Sequence, residues 1–145
     1  MELFVSEGPE DTYRAAEKLS EKATPGTVIA LTGDLGAGKT LFVKGFARGL
    51  GVTEELSSPT FNILKSYRSG RLPLYHFDVY RIEDISEMDE TGYEDCFYGG
   101  GVTLIEWAER IEPLLPPETL RISIERDLEK GPDYREIRTD DHTFR

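Results

Sequence analysis

The sequence predicts one α/β domain over residues 1–145. The first indication is a β-branched and apolar run at 27–32, which leads into a glycine-rich loop at 33–40 and then into a segment with helical apolar spacing. The second is that further strand and helix candidates follow along the chain without an internal repeat or a separate linker. The third is a length sufficient to bury a hydrophobic core.

Two strands and two helices are predicted in the first third of the chain. Residues 2–5 are a short strand candidate, and apolar residues at helical spacing predict a helix from Glu10 to about Ala23. Residues 24–26 end that helix and turn the chain into the strand at 27–32. The helix after the glycine-rich loop has one apolar stripe, formed by Phe42, Val43, Phe46, Ala47 and Leu50.

The rest of the chain is predicted to contain strands and short helices. In order, the candidates are a turn-forming cluster that runs into a strand at 56–67, a hairpin turn at 69–71, a strand at 72–80, a helix at 83–96, a strand at 102–107, a short helix at 108–111, and strands at 120–125 and 134–139. The strands on either side of the hairpin turn should be antiparallel, because so short a connection cannot make a parallel crossover. The tail, residues 140–145, is expected to be frayed.

Charge and composition exclude several classes of function. A net charge of −11 argues against direct binding of nucleic acid, because contacts with the phosphate backbone depend on clustered Lys and Arg. A role near nucleic acid would therefore pass through another protein, although solubility alone also accounts for an acidic chain. A hydrophobic fraction of 38% without a long apolar run predicts no membrane span, and residues 1–7 lack the features of a signal peptide. We expect a cytoplasmic protein.

The glycine-rich loop fits the phosphate-binding pattern G-x-x-x-x-G-K-[ST]. Its eight positions are Gly33, Asp34, Leu35, Gly36, Ala37, Gly38, Lys39 and Thr40. In this pattern backbone N–H groups surround the phosphates, the lysine reaches the β and γ phosphates, and the hydroxyl binds Mg²⁺. The helix that follows adds the positive end of its dipole. A glycine-rich segment can also be a flexible turn, but the flanking strand and helix favour a site for a nucleoside triphosphate.

A triphosphate site also needs a carboxylate that holds or orients the metal ion, usually at the end of a neighbouring buried strand. Glu106 is the first candidate, since it follows the four strand-forming residues 102–105; the alternative is an exposed residue just beyond a strand. Asp78 is the second, and in a strand it shares a face with His76 and Tyr80. It could position the attacking water, or it could belong to a polar surface. Spacing alone does not decide between the two carboxylates.

Two further residues are candidates for contact with the nucleotide. Thr60 lies in the loop after the glycine-rich helix, where a switch residue that responds to the γ-phosphate would lie, although Pro-Thr is also an ordinary turn. Trp107 follows Glu106, and its indole could stack on a base or on another protein, or pack in the core. Because no Asn-Lys-x-Asp element for guanine is present, adenine is the predicted base.

Four motifs occur in the order and spacing of the TsaE family, which the chain resembles over roughly residues 10–128. They are the glycine-rich loop, Ser58-Pro59-Thr60-Phe61, His76-Phe77-Asp78-Val79-Tyr80-Arg81 and Ile105-Glu106-Trp107. TsaE proteins are small bacterial P-loop ATPases of tRNA threonylcarbamoyladenosine (t6A) biosynthesis. The resemblance implies a P-loop NTPase-like fold with a mixed central sheet flanked by helices, and ATP with Mg²⁺ as ligands. It also implies weak ATP hydrolysis that depends on TsaB-like and TsaD-like partners, the latter of which transfers the threonylcarbamoyl group to adenosine 37 of tRNA.

The resemblance also implies roles for individual residues. The phosphate loop is 33–40 with Lys39 as its catalytic lysine, Thr40 and Glu106 bind the magnesium ion, Thr60 is the switch residue, and Asp78 is a catalytic or metal-water carboxylate. The start of the first helix, Glu10 to Thr12, would lie near the adenine. The chain differs from the family at 131–135, where Gly-Pro-Asp-Tyr-Arg replaces a common Gly-Arg pair, so a nucleotide contact from Arg135 stays open.

Two other functions are compatible with the same loop. One is a small-molecule kinase, although such enzymes usually carry a lid with several arginines, and few arginines occur between the loop and Glu106. The other is a nucleotide-dependent binding module whose hydrolysis is incidental. The leading interpretation is an ATPase that drives a conformational cycle in a tRNA-modifying complex, with tRNA contacted only indirectly.

Overall fold

The computed structural model describes residues 2–33, 38–57 and 63–140. Within these ranges the elements are, in order, β1 (Glu2–Ser6), α1 (Pro9–Ser20), β2 (Val28–Gly33), α2 (Lys39–Gly49), β3 (Leu64–Tyr67), β4 (Leu74–Asp78), a 3₁₀ helix (Ile85–Thr91), α3 (Tyr93–Phe97), β5 (Val102–Glu106), a second 3₁₀ helix (Ala108–Leu114), β6 (Leu120–Arg126) and β7 (Arg135–Thr139). No helix in this part of the chain is both long enough and apolar enough to cross a membrane.

The described strands form one mixed sheet in the order β1-β7-β6-β2-β5-β4-β3. The inner strands β6, β2, β5 and β4 are parallel to one another, whereas β3, β7 and β1 pair antiparallel at the two sides. β3 and β4 pair from Leu64 opposite Phe77 to Tyr67 opposite Leu74, which confirms the predicted antiparallel hairpin. The predicted α/β class, with a mixed sheet flanked by helices, is likewise confirmed.

The central strands are apolar because helices cover both faces of the sheet. Alternate residues of β2 point to opposite sides: Ile29 and Leu31 join the hydrophobic cluster with α1 and α2, whereas Val28 and Ala30 join the cluster on the other face. All five residues of β5 are buried. The predicted stripe of α2 lies in the first cluster, with Phe42, Val43, Phe46, Ala47 and Leu50 each at most 2% exposed. The stripe is therefore the face that α2 packs against the sheet.

α1 and α2 approach each other closely at two glycines of α2. A Cβ atom at Gly45 would collide with the Tyr13 carbonyl oxygen, and one at Gly49 would collide with the Ser20 hydroxyl. Glycine at these positions therefore lets the two helices pack with their backbones in contact. As a result, the start of α1 lies beside the start of α2, next to the end of the glycine-rich loop.

Two predicted helices differ from those observed. α1 ends at Ser20 instead of near Ala23, because the amides of 21–23 donate to carbonyls three residues earlier and the chain tightens out of the α-helix. The helix predicted at 83–96 is instead a 3₁₀ helix followed by α3. Gly92 separates them, since its φ of 73° is left-handed and ends the first helix.

Two predicted strands, at 56–67 and at 72–80, are clearly longer than the observed ones. Of the segment 56–67, only β3 is a strand among the described residues, and 58–62 lie outside them. The strand predicted at 72–80 is reduced to β4, because β5 offers pairing partners only along its own five residues. In the predicted frayed tail, Asp140 still exchanges hydrogen bonds with Arg121 of β6, and 141–145 are not among the described residues.

Candidate functional site

Three strands end at one edge of the sheet. β2 ends at Gly33, β4 at Asp78 and β5 at Glu106. β5 lies between the other two, so that Glu106 is opposite Leu31 of β2 on one side and Asp78 on the other. The carboxyl ends of parallel strands are where open α/β sheets bind ligands. The structure therefore brings the two predicted carboxylates together, beside the strand that leads into the glycine-rich loop.

The described part of the glycine-rich loop consists of Gly33 at its start and residues 38–40 at its end. Gly33 has a φ of 147°, and a Cβ atom there would collide with the Ile124 carbonyl oxygen of β6. Gly38 has a φ of 103° and precedes α2, where its carbonyl accepts the Phe42 amide at 3.0 Å. Both positions therefore favour glycine. The predicted site residues outside the described ranges are Asp34, Leu35, Gly36, Ala37 and Thr60.

Lys39 is held at the base of this loop. Its side chain is buried, and its Nζ donates a hydrogen bond to the Gly33 carbonyl oxygen at 2.7 Å. The same nitrogen lies 3.6 Å from the centre of the Trp107 ring. An ammonium group over an indole face is stabilised electrostatically, and more so where water is excluded. The positive charge is thus kept at the end of β2, beside the start of the loop.

Trp107 links the lysine to a second aromatic ring. Its φ of 62° lies in the left-handed region, which costs a residue other than glycine about 1–2 kcal/mol. The Trp107 and Tyr80 ring centres are 4.9 Å apart, and the Arg110 guanidinium lies 5.2 Å from the centre of the Tyr80 ring. The indole therefore packs against side chains of the site. The sequence does not predict that Tyr80 contacts Trp107 or that Arg110 contacts Tyr80, because both residues follow strand ends where the chain turns.

Glu106 is buried and hydrogen-bonded to His76. Its Oε2 lies 2.6 Å from His76 Nε2, and the two side chains are 7% and 4% exposed. His76 precedes Asp78 by two residues on β4, so both face the same side as Glu106. Sequence analysis misses this pair, because nothing local relates two residues on separate strands. In the described part of the chain, no three His, Cys, Asp or Glu side chains are grouped closely enough to hold a metal ion.

Asp78 is half-buried, and its Oδ1 accepts the Tyr80 amide at 3.0 Å. Burial raises the pKa of Asp78 above its ordinary value, and the charge of Glu106 raises it further. The Tyr80 amide, His76 and Lys39 lower the pKa and partly offset this effect. A carboxylate with a raised pKa is a stronger proton acceptor than an ordinary aspartate.

Thr40 is exposed in the first turn of α2 and lines a small cavity with His76. Val43, Lys44, Leu56 and Ser57 complete the lining. His76 therefore shares a cavity with Thr40 and a hydrogen bond with Glu106, the two predicted magnesium ligands.

A second depression lies between the starts of α1 and α2. It has a volume of about 300 Å³ and a largely apolar lining of Pro9, Glu10, Tyr13, Arg14 and Leu41. A smaller cavity shares Pro9 and Leu41 with it and is completed by Gly8, Thr12, Gly38, Asp133 and Arg135. Three predicted contact residues, Glu10, Thr12 and Arg135, therefore lie around the end of the glycine-rich loop. The Thr12 hydroxyl is hydrogen-bonded to the Ser6 hydroxyl, so Thr12 mainly forms part of the wall of the smaller cavity.

A sequence model of the family described as "Threonylcarbamoyl adenosine biosynthesis protein TsaE" matches residues 6–137 of the chain. The chain belongs to the TsaE family. The family predicted from the four motifs is therefore confirmed.

Individual TsaE relatives agree with this result. The chain is 54% identical over 129 residues to the tRNA threonylcarbamoyladenosine biosynthesis protein TsaE of Bacillus subtilis, covering 89% of this chain and 78% of the relative. It is 47% identical over 120 residues to the protein of the same name from Treponema pallidum, covering 83% and 88%. The crystal structure of Bacillus subtilis YdiB matches with a TM-score of 0.76 at 46% identity, covering 95% of this chain and 83% of that one.

The donor atoms in this member of the TsaE family suit both Mg²⁺ and a polyphosphate. Glu106, Asp78 and Thr40 offer oxygen atoms, and Mg²⁺ prefers one or two carboxylates together with water and phosphate oxygens. Lys39 and the first turn of α2 offer positive charge and backbone donors for an anion. The residues present therefore fit the two ligands that the sequence predicts.

Proposed function

We propose that this TsaE family protein binds and hydrolyses ATP with Mg²⁺, and that hydrolysis supports the transfer of a threonylcarbamoyl group to adenosine 37 of tRNA. The observation that carries the proposal is the position of Lys39, Glu106 and Asp78 at one edge of the sheet. A lysine and carboxylates in this arrangement are the parts that phosphoryl transfer requires. The pathway is supported by the names of the Bacillus and Treponema relatives.

Binding of the triphosphate begins with the glycine-rich loop and Lys39. The Lys39 ammonium would exchange the Gly33 carbonyl for oxygens of the β and γ phosphates, which are better acceptors because they are charged. The Gly38 backbone and the start of α2 would donate to the same phosphates. The triphosphate is thereby held against the end of β2.

The metal ion would be held by Thr40 and Glu106. When bound, Mg²⁺ would neutralise the negative charge that develops on the transferred phosphoryl group. Asp78 lies beside Glu106 and would orient the attacking water or accept its proton, which its raised pKa favours. Thr60 keeps its proposed role as the switch residue.

We assign the adenine to the depression between α1 and α2. Its walls are largely apolar and include Tyr13 and Leu41, and the smaller cavity beside it reaches Gly38 at the end of the loop. An adenine ring is a flat, largely apolar group, and pockets for such ligands are lined mainly by apolar side chains. The Trp107 indole is a poorer candidate for the base, because it already packs between Lys39 and Tyr80.

TsaB-like and TsaD-like proteins are the proposed partners, and the cytoplasm is the proposed compartment. With a net charge of −11, this chain is unsuited to bind tRNA directly, so basic surfaces of the partners would hold it. ATP turnover by the chain alone is expected to be weak and to rise when the partners are added.

The test is phosphate release from ATP by the chain alone, with both partners, and with candidate small-molecule acceptors. Lys39→Ala should lower turnover at least about 100-fold, because one preorganised donor to transition-state charge is lost. Lys22→Ala is the matched control, since this exposed lysine lies in the turn after α1. Normal turnover by Lys39→Ala would contradict the proposal. Phosphorylation of an acceptor without partners would instead favour a small-molecule kinase.

A further inference from the structure

His76 is a buried imidazole with one polar contact in the described part of the chain. It is buried in the middle of β4, and its Nε2 lies 2.6 Å from Glu106 Oε2. Its Nδ1 is buried and has no hydrogen-bond partner among the described residues. A hydrogen on Nδ1 would therefore be a buried donor without an acceptor among the described residues, which is unfavourable. The tautomer that avoids this cost carries its hydrogen on Nε2 and donates it to Glu106.

This hydrogen bond occupies one of the two carboxylate oxygens of Glu106. Within the described residues, the other oxygen, Oε1, accepts no hydrogen bond. A glutamate at a strand end can rotate about three side-chain bonds, and each rotamer points its oxygens differently. A buried donor on the neighbouring strand removes most of that freedom. Hydrogen bonds from neighbouring side chains orient metal ligands in proteins in this way.

We propose that His76 is a positioning residue for Glu106. Through Nε2–H it holds the carboxylate in one orientation at the end of β5 and leaves Oε1 available to the magnesium ion. The inference rests on the proposed function, because it requires Glu106 to act on the metal ion. His76 is suited to this role because it is hydrogen-bonded to Glu106 and lines the same cavity as Thr40, the other proposed ligand.

Two amide substitutions separate positioning from packing. In His76→Gln, the side-chain N–H group can reach the place of Nε2, whereas in His76→Asn it reaches only the place of Nδ1. Both variants introduce the same polar group at the same buried position, so they form a matched pair. Affinity for ATP is measured by calorimetry as a function of Mg²⁺ concentration, and again in EDTA.

His76→Asn should weaken the apparent Mg²⁺ affinity of the ATP complex about 10- to 100-fold, which is the usual effect of losing a group that orients a metal ligand. His76→Gln should restore most of this loss, and ATP affinity in EDTA should be unchanged in both. The inference is overturned if His76→Asn keeps the wild-type Mg²⁺ affinity. It is also overturned if both variants lose ATP affinity equally with and without Mg²⁺, which would show that His76 only packs.

The proposed function has its own test in the wild-type protein: if ATP binding there does not depend on Mg²⁺, the proposed function is wrong. The inference about His76, which rests on it, is then wrong as well. A second measurement does not depend on the folding of any variant. The chain contains two histidines, His76 and His142, whose tautomers can be distinguished by long-range ¹H–¹⁵N NMR. A hydrogen on Nε2 of His76 supports the inference, and a hydrogen on Nδ1 alone overturns it.

Discussion

The Lys39 ammonium lies 3.6 Å from the centre of the Trp107 ring, so the residue that follows Glu106 contacts the lysine of the phosphate loop. The two meet because β5 lies next to β2 in the sheet. Trp107 reaches this position with a φ of 62°, and Tyr80 packs against the same indole. Backbone strain of this kind persists where surrounding contacts hold it, and often at functional sites. The turn after β5 is therefore part of the site.

The strain at Trp107 predicts an unusual order of stability. Trp107→Gly and Trp107→Ala both remove the contacts with Lys39 and Tyr80, but only glycine adopts the left-handed backbone without strain. We expect Trp107→Gly to be more stable than Trp107→Ala by about 1 kcal/mol in the free energy of unfolding. Urea unfolding measures both values. The reverse order would show that the turn relaxes once the indole is gone.

Glu106→Ala should remove Mg²⁺-dependent ATP hydrolysis while leaving a folded protein. Turnover should fall at least about 100-fold, and the unpaired His76 donor should lower the free energy of unfolding by about 1–3 kcal/mol. Phosphate release and urea unfolding measure the two effects. Glu109→Ala, which removes an exposed carboxylate three residues later, is the control and should change neither. Near-normal hydrolysis by Glu106→Ala would mean that Asp78 is the main carboxylate at the metal ion.

Asp78→Asn should stabilise the protein near pH 7. Because burial raises the pKa of Asp78 in the folded protein above about 3.9, the value in an unfolded chain, the native state binds the proton more tightly. The stability that the protonated carboxyl contributes is therefore lost as the pH rises from the unfolded pKa through the higher folded pKa. The asparagine variant has no such loss, and its Oδ1 can still accept the Tyr80 amide. The difference in urea unfolding should disappear near pH 3, where both side chains are neutral.

Asp84 provides a control, because its pKa is shifted in the opposite direction to that of Asp78. The Ser86 amide donates to its carboxylate and lowers the pKa of Asp84. Asp84→Asn should therefore lose stability near pH 7 and none at a pH where the native carboxylate is protonated. If both variants respond to pH in the same direction, burial is not the reason for the behaviour of Asp78.

Leu41→Ser should weaken ATP binding without affecting the phosphate site. Leu41 lines both cavities between α1 and α2, so losing it shortens the apolar wall proposed for the adenine. An affinity loss of about 10-fold corresponds to about 1.4 kcal/mol, less than complete burial of a leucine is worth. Affinity for inorganic tripolyphosphate, which has no base, should stay unchanged in calorimetry. Leu128→Ser, at a position 69% exposed, is the control. Equal losses for both ligands would place the adenine elsewhere.

Local patterns in the sequence predict much of this fold. The β-branched and apolar run at 27–32 and the helical apolar spacing after 33–40 predict β2 and α2, and the short turn after β3 predicts an antiparallel pair. Patterns fail where a helix is weakly apolar, as at 83–96, since a single glycine then decides where it breaks. At 72–80 they also overestimate strand length, because β4 extends only as far as β5 pairs with it.

The sequence by itself determined the family, the glycine-rich loop and the two carboxylates, since these depend on residue types at fixed spacing along one chain. Only the tertiary structure decided that His76 binds Glu106 and that Trp107 contacts Lys39. The physical reason is that both contacts cross between strands. Such contacts depend on the strand order, which places β5 between β2 and β4, and on the register between these strands.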